Sequence, residues 1–489
     1  MSARPAKSQV AIADLMSAIP GAAMPPLDAV ITGVELDSRQ VEPGDLFAAL
    51  PGRVTHGAAH APQALARGAA AIITDAQGAG LLGDVPVPVI VAPDPRSALG
   101  RLAAEVYGHP ADGMTLLGVT GTNGKTTVTY LLAAGLRAAG RTTGVIGTIG
   151  VRIGDAVLAS PRTTPAAVHT HALLGVMRER GVDAVAMEVS SIALCEGRVD
   201  GMRFAVAGFT NLSQDHLDYH GTMDAYFAAK AALFTPQRAD LGIVGIEDEW
   251  GRRLASTASI PVQTWTTIPD QRADWRLAQA DGEWIAHGPG GETQPLTIPL
   301  PGAYNRANVL CAYAMLRGVG IPPAIAASAL AEVTVPGRLE VVATVGGVTG
   351  IVDYAHSPDA IERVIDAVRQ DLAGRIIVVL GAGGDRDREK RPLMGRAARL
   401  ADAVIVTDDN PRSEDPAAIR QAVFEGVQGV AARIVPDRRA AIAEAVAQAA
   451  PGDTVLVLGK GHELGQEIAG VVHPFDDREA LRDALAGAR

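Results

Sequence analysis

Cysteine is nearly absent from this chain: Cys195 and Cys311 are the only two in 489 residues. Two thiols cannot build the disulfide framework of a secreted small domain. A reducing compartment is therefore expected, and neither thiol is assigned chemistry. Aromatic residues make up only 4%, and no long basic run occurs. Both observations argue against a nucleic-acid partner. Where basic residues cluster, as in Arg386-Asp387-Arg388-Glu389-Lys390-Arg391, acids are interleaved with them, and the formal net charge is −11. No uninterrupted apolar run reaches 18 residues, and the opening segment has no charged-then-apolar leader pattern. The expectation is a soluble cytoplasmic protein without a membrane span. Solenoid-type repeats and low-complexity tracts are also missing.

What the chain does have is a glycine loop, Gly118-Val119-Thr120-Gly121-Thr122-Asn123-Gly124-Lys125-Thr126-Thr127. An apolar run, Leu116-Leu117, precedes it, and a helical pattern from Val128 to Ala139 follows. Strand, glycine loop and helix in this order point backbone N–H groups at a phosphate, and the helix dipole adds to the attraction. Lys125 can reach the outer phosphates, and the Thr126 hydroxyl can ligate Mg2+. The strict P-loop pattern places Gly where Val119 stands, so the match is to G-x-x-G-K-T-T. A nucleoside triphosphate site is the reading.

At ~150 residues per domain the length suggests three domains. Short Val- and Ile-rich runs alternate with helical patterns throughout, which argues for α/β domains with buried parallel sheets. Breaks at His109-Pro110 with Asp112-Gly113, and at Pro336-Gly337-Arg338, set the boundaries. The expected fold class is α/β, with three α/β domains in series. Residues 1–112 form the first domain, with about 25 residues of extension or weak helix at its start. Residues 113–336 form a P-loop-type mononucleotide-binding domain, and 337–489 a Rossmann-like one. Ligands should lie at the carboxyl ends of strands and between domains.

Other polar clusters fall at predicted strand ends. Glu188, in Met187-Glu188-Val189-Ser190-Ser191, offers Mg2+ a hard oxygen ligand. The run from Thr210 to His220 packs His216, His220, Asp215 and Asp218 closely. Zinc is the rival there, without cysteine ligands. Lys230 by itself reads as an ordinary lysine on a helix surface. Near the C-terminus, Asp353 to Pro358, Gly381 to Asp387, Asp408 to Arg412 and Gly459 to Glu463 each leave a strand. Their arginines and acids suit a zwitterionic amino acid, because guanidinium grips carboxylate and carboxylates bind ammonium.

Taken together, Thr120 to Thr127, Glu188 to Ser191, Asn211 to His220, Asn305 to Asn308, Pro336 to Arg338 and Asp353 to His356 resemble the Mur ligases. These are the ATP-dependent amide-forming enzymes of peptidoglycan precursor synthesis. Leu36 to Arg39, Gly383 to Arg391, Asp409 to Arg412 and Gly459 to Glu463 resemble the members that add the third residue of the stem peptide. The resemblance runs from about Leu36 to the C-terminus, and it implies roles residue by residue. Gly121, Thr122, Asn123, Gly124, Lys125, Thr126 and Thr127 would hold the ATP phosphates, with Asn305 by the adenine. Arg338 and Asp353 would contact the nucleotide. Thr126, Glu188, His216 and Lys230 would serve Mg2+, with Lys230 carbamylated to give two anionic oxygens. Leu36, Ser38, Arg53, Val54 and Thr55 would bind the uridine nucleotide. Arg162, Thr163, Thr164, Ser190, Glu196 and Arg198 would hold the muramoyl peptide. Arg386, Asp409, Asn410, Pro411, Arg412, Gly459 and Glu463 would bind diaminopimelate.

The implied substrates are ATP, UDP-N-acetylmuramoyl-L-alanyl-D-glutamate and meso-diaminopimelate, joined through an acyl phosphate by a monomer. His356, or a substrate-bound water, would take the proton from the amine. Members that add lysine usually differ at Asn410-Pro411-Arg412, and Arg412 is the natural partner for the extra carboxylate of diaminopimelate. A folylpolyglutamate or lysine-adding ligase, and a non-catalytic nucleotide-binding regulator, are the alternatives. Ile192, Glu196 and Arg162 depart from the residues common in the family, where His, Gln and Asn are usual.

Overall fold

The computed structural model describes residues 4–6, 9–23, 28–52, 54–154, 156–158, 160, 162–371 and 373–487. They form two units, Met1–Thr297 with Asn308–Leu330, and Ile298–Ala307 with Ala331–Arg489.

The first unit opens with a parallel four-stranded sheet, β1 (Gly33–Glu35), β2 (Asp45–Ala48), β3 (Ala71–Thr74) and β4 (Val89–Val91), in that order. Helix α1 (Pro95–Val106) follows; Asp94 caps it by accepting from Ser97 N at 3.1 Å, and Pro95 occupies the first turn. Before this sheet, Ile12–Leu15 forms the short helix that the sequence allowed at the start of the chain, and residues 9–23 pack into the same core. Val10–Ala11 pairs antiparallel with Val30–Ile31, and Ile12, Leu15, Ala18 and Ile19 are buried against β1 and α1 residues.

An eleven-stranded sheet comes next. At its centre lie β5 (Thr115–Thr120), β6 (Thr143–Gly147), β7 (Ala184–Glu188), β8 (Phe204–Phe209) and β9 (Ala239–Gly245), ordered β6-β7-β5-β8-β9 and all parallel. Their Val, Leu, Ile and Ala side chains are buried on both faces, which explains the runs without alternation. The polar stretch after Thr264 continues the sheet. Trp275–Ala280 pairs parallel with Val262–Thr266, and Glu283–His287 and Thr293–Leu296 then add as antiparallel strands. Helices α2 (Lys125–Ala138) and α4 (Met223–Ala231) carry residues of the candidate site, and α3 (Ala167–Glu179) packs its Ala167, Val168 and Ala172 into the core shared with α1.

The second unit has a six-stranded sheet. Its parallel part runs β10 (Val348–Asp353), β13 (Thr454–Leu458), β11 (Ile376–Leu380), β12 (Ala403–Val406), then Ala431–Ile434. Glu340–Val345 closes one edge antiparallel to β10. The four polar segments singled out in the sequence all leave the carboxyl ends of β10 to β13, as an open parallel sheet requires of a ligand site. A hairpin, Gly465–Ile468 with Val471–Pro474, follows β13.

Candidate active site

The glycine loop sits between β5 and α2, and Gly124 starts the helix with φ +87. A Cβ there would meet a strained backbone and collide with Asn308 Oδ1. Lys125 folds back so that its Nζ donates to Gly121 O at 2.9 Å and Thr122 O at 2.7 Å. The loop is tied to the end of β8. Thr210 Oγ1 donates to Asn123 O at 2.6 Å, and Asn123 N donates to Asn211 Oδ1 at 3.0 Å.

Lys230 is not on the surface. It is 1% exposed on α4, and its Nζ donates to the same Gly121 carbonyl at 2.7 Å. It lies 4.6 Å from the centre of the Tyr226 ring. Burial pushes its pKa well below the ordinary lysine value, and the nearby Lys125 charge pushes the same way against Asp215. The Tyr226 hydroxyl pairs with Thr122 Oγ1 at 3.2 Å. His216, half exposed with φ +52, stacks edge-on to Tyr226 at 6.3 Å. His220 bonds Ser191 Oγ through Nε2 at 2.9 Å.

Glu188, at the end of β7, is buried and fully engaged. Thr126 Oγ1 donates to its Oε2 at 3.1 Å, Thr148 N to Oε1 at 2.7 Å, and Thr148 Oγ1 to Oε2 at 3.1 Å. Thr148 was not singled out in the sequence; its place in a turn after β6 carries no local signal. Thr163 Oγ1 meets Thr148 Oγ1 at 3.0 Å, and Thr164 Oγ1 donates to Glu188 O at 2.8 Å. Ser190 N donates to Thr164 Oγ1 at 3.1 Å, and Arg198 Nη1 to Thr164 O at 2.8 Å. Glu196 pairs with Arg198 at 2.7 Å, which gives this departure from the family a structural partner. Arg162 is exposed. Thr163, Thr164, Ser190, Glu196 and Arg198 are thus one connected group beside Glu188.

Among the described residues, no three His, Cys, Asp or Glu side chains converge as metal ligands. Thr126 and Glu188 instead present hard oxygens beside the glycine loop. That donor set suits Mg2+, which fills its shell with phosphate oxygens and water.

At the carboxyl end of β1, Ser38 Oγ donates to Gln63 Oε1 at 2.7 Å, and Leu36 N donates to Glu35 at 2.8 Å. Val54 is 99% exposed and Thr55 is exposed. Arg53 lies outside the described residues.

In the second unit, Asn305 Nδ2 donates to Pro301 O at 2.7 Å. Asp353 is buried and accepts from Leu339 N and Ala355 N, each at 2.7 Å. Burial raises its pKa, and Arg338 opposes the rise. The Arg338 guanidinium lies 4.5 Å from the Tyr354 ring centre, and that ring also meets His356 at 4.7 Å. His356 Nδ1 lies 2.9 Å from Tyr354 O. A carbonyl only accepts, so this contact places the proton on Nδ1 and leaves Nε2 as a lone pair.

The segments Asp408 to Arg412 and Gly459 to Glu463 meet around Lys460, which is fully buried. Its Nζ donates to Asn410 Oδ1 at 3.0 Å and Glu463 Oε2 at 3.2 Å, and lies 3.7 Å from Asp409. Asn410 Nδ2 donates to Glu463 Oε2 at 2.9 Å. Lys460 lies inside the Gly459 to Glu463 segment but is not among its expected ligands. The signal available was rarity: the chain has five lysines among 43 Lys and Arg residues. Gly459, at φ +113, leaves room for Asp409, where a Cβ would lie 2.5 Å from Oδ2. Arg412 stands at φ +53, held by Arg412 N donating to Glu467 O at 3.0 Å and Ala469 N to Arg412 O at 2.7 Å. Its Nη1 donates to Gly384 O at 2.7 Å, and Nε pairs with Glu467 at 3.3 Å. Pro411 precedes it, and Arg386 is exposed on the neighbouring loop.

Three family models match the chain. They are the Mur ligase family catalytic domain over residues 30–107, the Mur ligase middle domain over 119–316, and the Mur ligase glutamate ligase domain over 337–461. The UDP-N-acetylmuramoyl-L-alanyl-D-glutamate–2,6-diaminopimelate ligase of Streptomyces avermitilis is 51% identical, covering 95% of this chain and 94% of its own length. The UDP-N-acetylmuramyl-tripeptide synthetase of Leifsonia xyli is 46% identical, covering 94% and 93%. A solved structure of a UDP-N-acetylmuramoyl-L-alanyl-D-glutamate–2,6-diaminopimelate ligase superposes with TM-score 0.68 at 32% identity, covering 94% and 95%. The chain, with its three α/β domains, its glycine loop and its buried lysine on α4, belongs to the Mur ligase family.

Proposed function

We propose that this chain is an ATP-dependent amide-forming ligase. It joins meso-2,6-diaminopimelate to the D-glutamyl γ-carboxyl of UDP-N-acetylmuramoyl-L-alanyl-D-glutamate. The observation that carries the reading is the acceptor cluster: Asp409 and Asn410 locked by Lys460 and Glu463, with Arg412 fixed beside them. Acids there bind an ammonium, and Arg412 pairs with a carboxylate, which together describe an amino acid with charge at both ends. Relatives at 43% to 51% identity bear the name of this ligase, which supports the assignment.

The γ-carboxylate oxygen attacks the γ-phosphorus of ATP, the bond to the β-phosphate oxygen breaks, and ADP leaves an acyl phosphate. Gly121 to Thr127 hold the phosphates, and Lys125 moves from its carbonyl contacts to the γ-phosphate oxygens as charge develops. Mg2+, bound by Thr126 and Glu188, would supply further charge neutralisation. The diaminopimelate amine then attacks the acyl carbon, and phosphate departs. His356 Nε2 is the acceptor for the amine proton, because Nδ1 is engaged with Tyr354 O. A neutral, buried Lys230 can attack CO2 and lose a proton to give a carbamate. Its depressed pKa favours that chemistry, and His216 lies nearby as a further metal or phosphate ligand.

The test offers the purified chain ATP, Mg2+ and the UDP-linked dipeptide, with meso-diaminopimelate or L-lysine as acceptor. Amide product and phosphate release that depend on diaminopimelate are expected. Faster product formation with lysine would overturn the acceptor. Phosphate release indifferent to any acceptor would overturn the reaction.

A further inference from the structure

The opening residues carry a contact that the ligase reading does not use. Arg4 Nη1 grips Asp45 bidentately, at 2.9 Å to Oδ1 and 2.7 Å to Oδ2. Its Nη2 donates to Glu35 Oε2 at 2.8 Å and Gln40 O at 3.0 Å. Glu35 and Asp45 are each 1% exposed, at the end of β1 and the start of β2. The other oxygen of Glu35 accepts from Leu36 N at 2.8 Å and Asp37 N at 3.1 Å, and His169 approaches it at 3.4 Å. Asp45 Oδ2 also accepts from Glu42 N at 2.8 Å. One guanidinium thus holds both ends of the turn from Glu35 to Asp45, and that turn contains Leu36 and Ser38.

The same arm is anchored on the central domain. Ala6 N donates to Glu179 Oε1 at 2.6 Å, at the end of α3. Pro5 packs where Gly175 lacks a side chain; a Cβ there would lie 2.9 Å from Pro5 Cβ. Without Arg4, Asp45 loses the guanidinium and Glu35 keeps only His169, so the two buried carboxylates repel each other and Glu35 is drawn from the Leu36 and Asp37 amides.

We infer that Arg4 is a positioning residue for the uridine-nucleotide loop, acting through Glu35 and Asp45. The inference rests on the reading of Leu36 and Ser38 as contacts of the UDP-linked substrate.

The test uses full-length Arg4→Met and Arg4→Lys, assayed well below their unfolding temperatures. In Arg4→Met, amide exchange over residues 36–40 should quicken roughly tenfold or more, since the buried acids lose the guanidinium that joins them. KM for the UDP-linked dipeptide should rise by about tenfold, with kcat and KM for ATP within about twofold. Arg4→Lys should recover part of both, because it keeps the charge but not the fork. Ser38→Ala runs alongside. Unchanged exchange in Arg4→Met, or faster exchange with unchanged KM, overturns the inference. An unchanged KM in Ser38→Ala overturns the substrate reading of the loop instead.

Discussion

Lys460 shows how much one side chain can organise. Buried without solvent, its ammonium satisfies Asn410 and Glu463 and faces Asp409. Replacing it by Met leaves those polar groups facing an apolar chain, at a cost that falls on the proposed acceptor cluster. Lys460→Met should raise KM for diaminopimelate by at least about tenfold, while KM for ATP stays within about twofold. Initial-rate measurements with each substrate varied in turn check this. An equal rise in both KM values would mean that the residue supports the fold and not the acceptor. The sequence made Arg412 and Asp409 legible, because a guanidinium and a carboxylate at a strand end announce their chemistry. It did not reveal where Lys460 or Lys230 point, since burial of a lysine depends on distant packing: the Gly121 carbonyl for one, Asn410 for the other.

At the scale of elements, the junction of β5, the loop and α2 depends on Gly124. Its left-handed backbone and the Asn308 side chain beside it both exclude a Cβ. Gly124→Ala should cost about 1–2 kcal/mol in stability from the backbone alone. It should also raise KM for ATP, because the loop must shift away from Asn308. Thermal unfolding and ATP-dependent rates measure the two effects separately; an unchanged KM for ATP would remove the loop from the nucleotide site. Strand and helix alternation was legible here, and so was the placing of each polar motif at a carboxyl end, because periodicity and glycine positions are local signals. The arm at Arg4 was not. Its partners lie 31 and 41 residues away, and no spacing within residues 4–23 points to them.

For the molecule as a whole, acid should destabilise the first unit through His171. This residue, on α3, is fully buried. Its Nε2 donates to Asp200 O at 2.9 Å, and its Nδ1 has no hydrogen-bond partner among the described residues. Burial lowers its pKa from 6.5 to about 4. The unfolded chain therefore binds a proton that the folded chain refuses, and stability falls as pH drops from 6.5 towards 4. The difference amounts to roughly 3 kcal/mol by linkage. Denaturant titrations between pH 7 and 4 should show it, and His171→Gln should flatten that slope; an identical slope in the variant would assign the acid loss to other groups. The family was legible from motifs spread over three domains.

The scarcity of lysine has a practical side. Lys230 and Lys460 are buried, Lys125 is half-buried in the glycine loop, and Lys390 is half-buried in the second unit. Among the described residues, amine-directed dyes, cross-linkers and coupling resins will find few handles. Of the two that keep partial exposure among the described residues, Lys125 lies in the glycine loop, so conjugation through amines risks inactivating the enzyme it is meant to label.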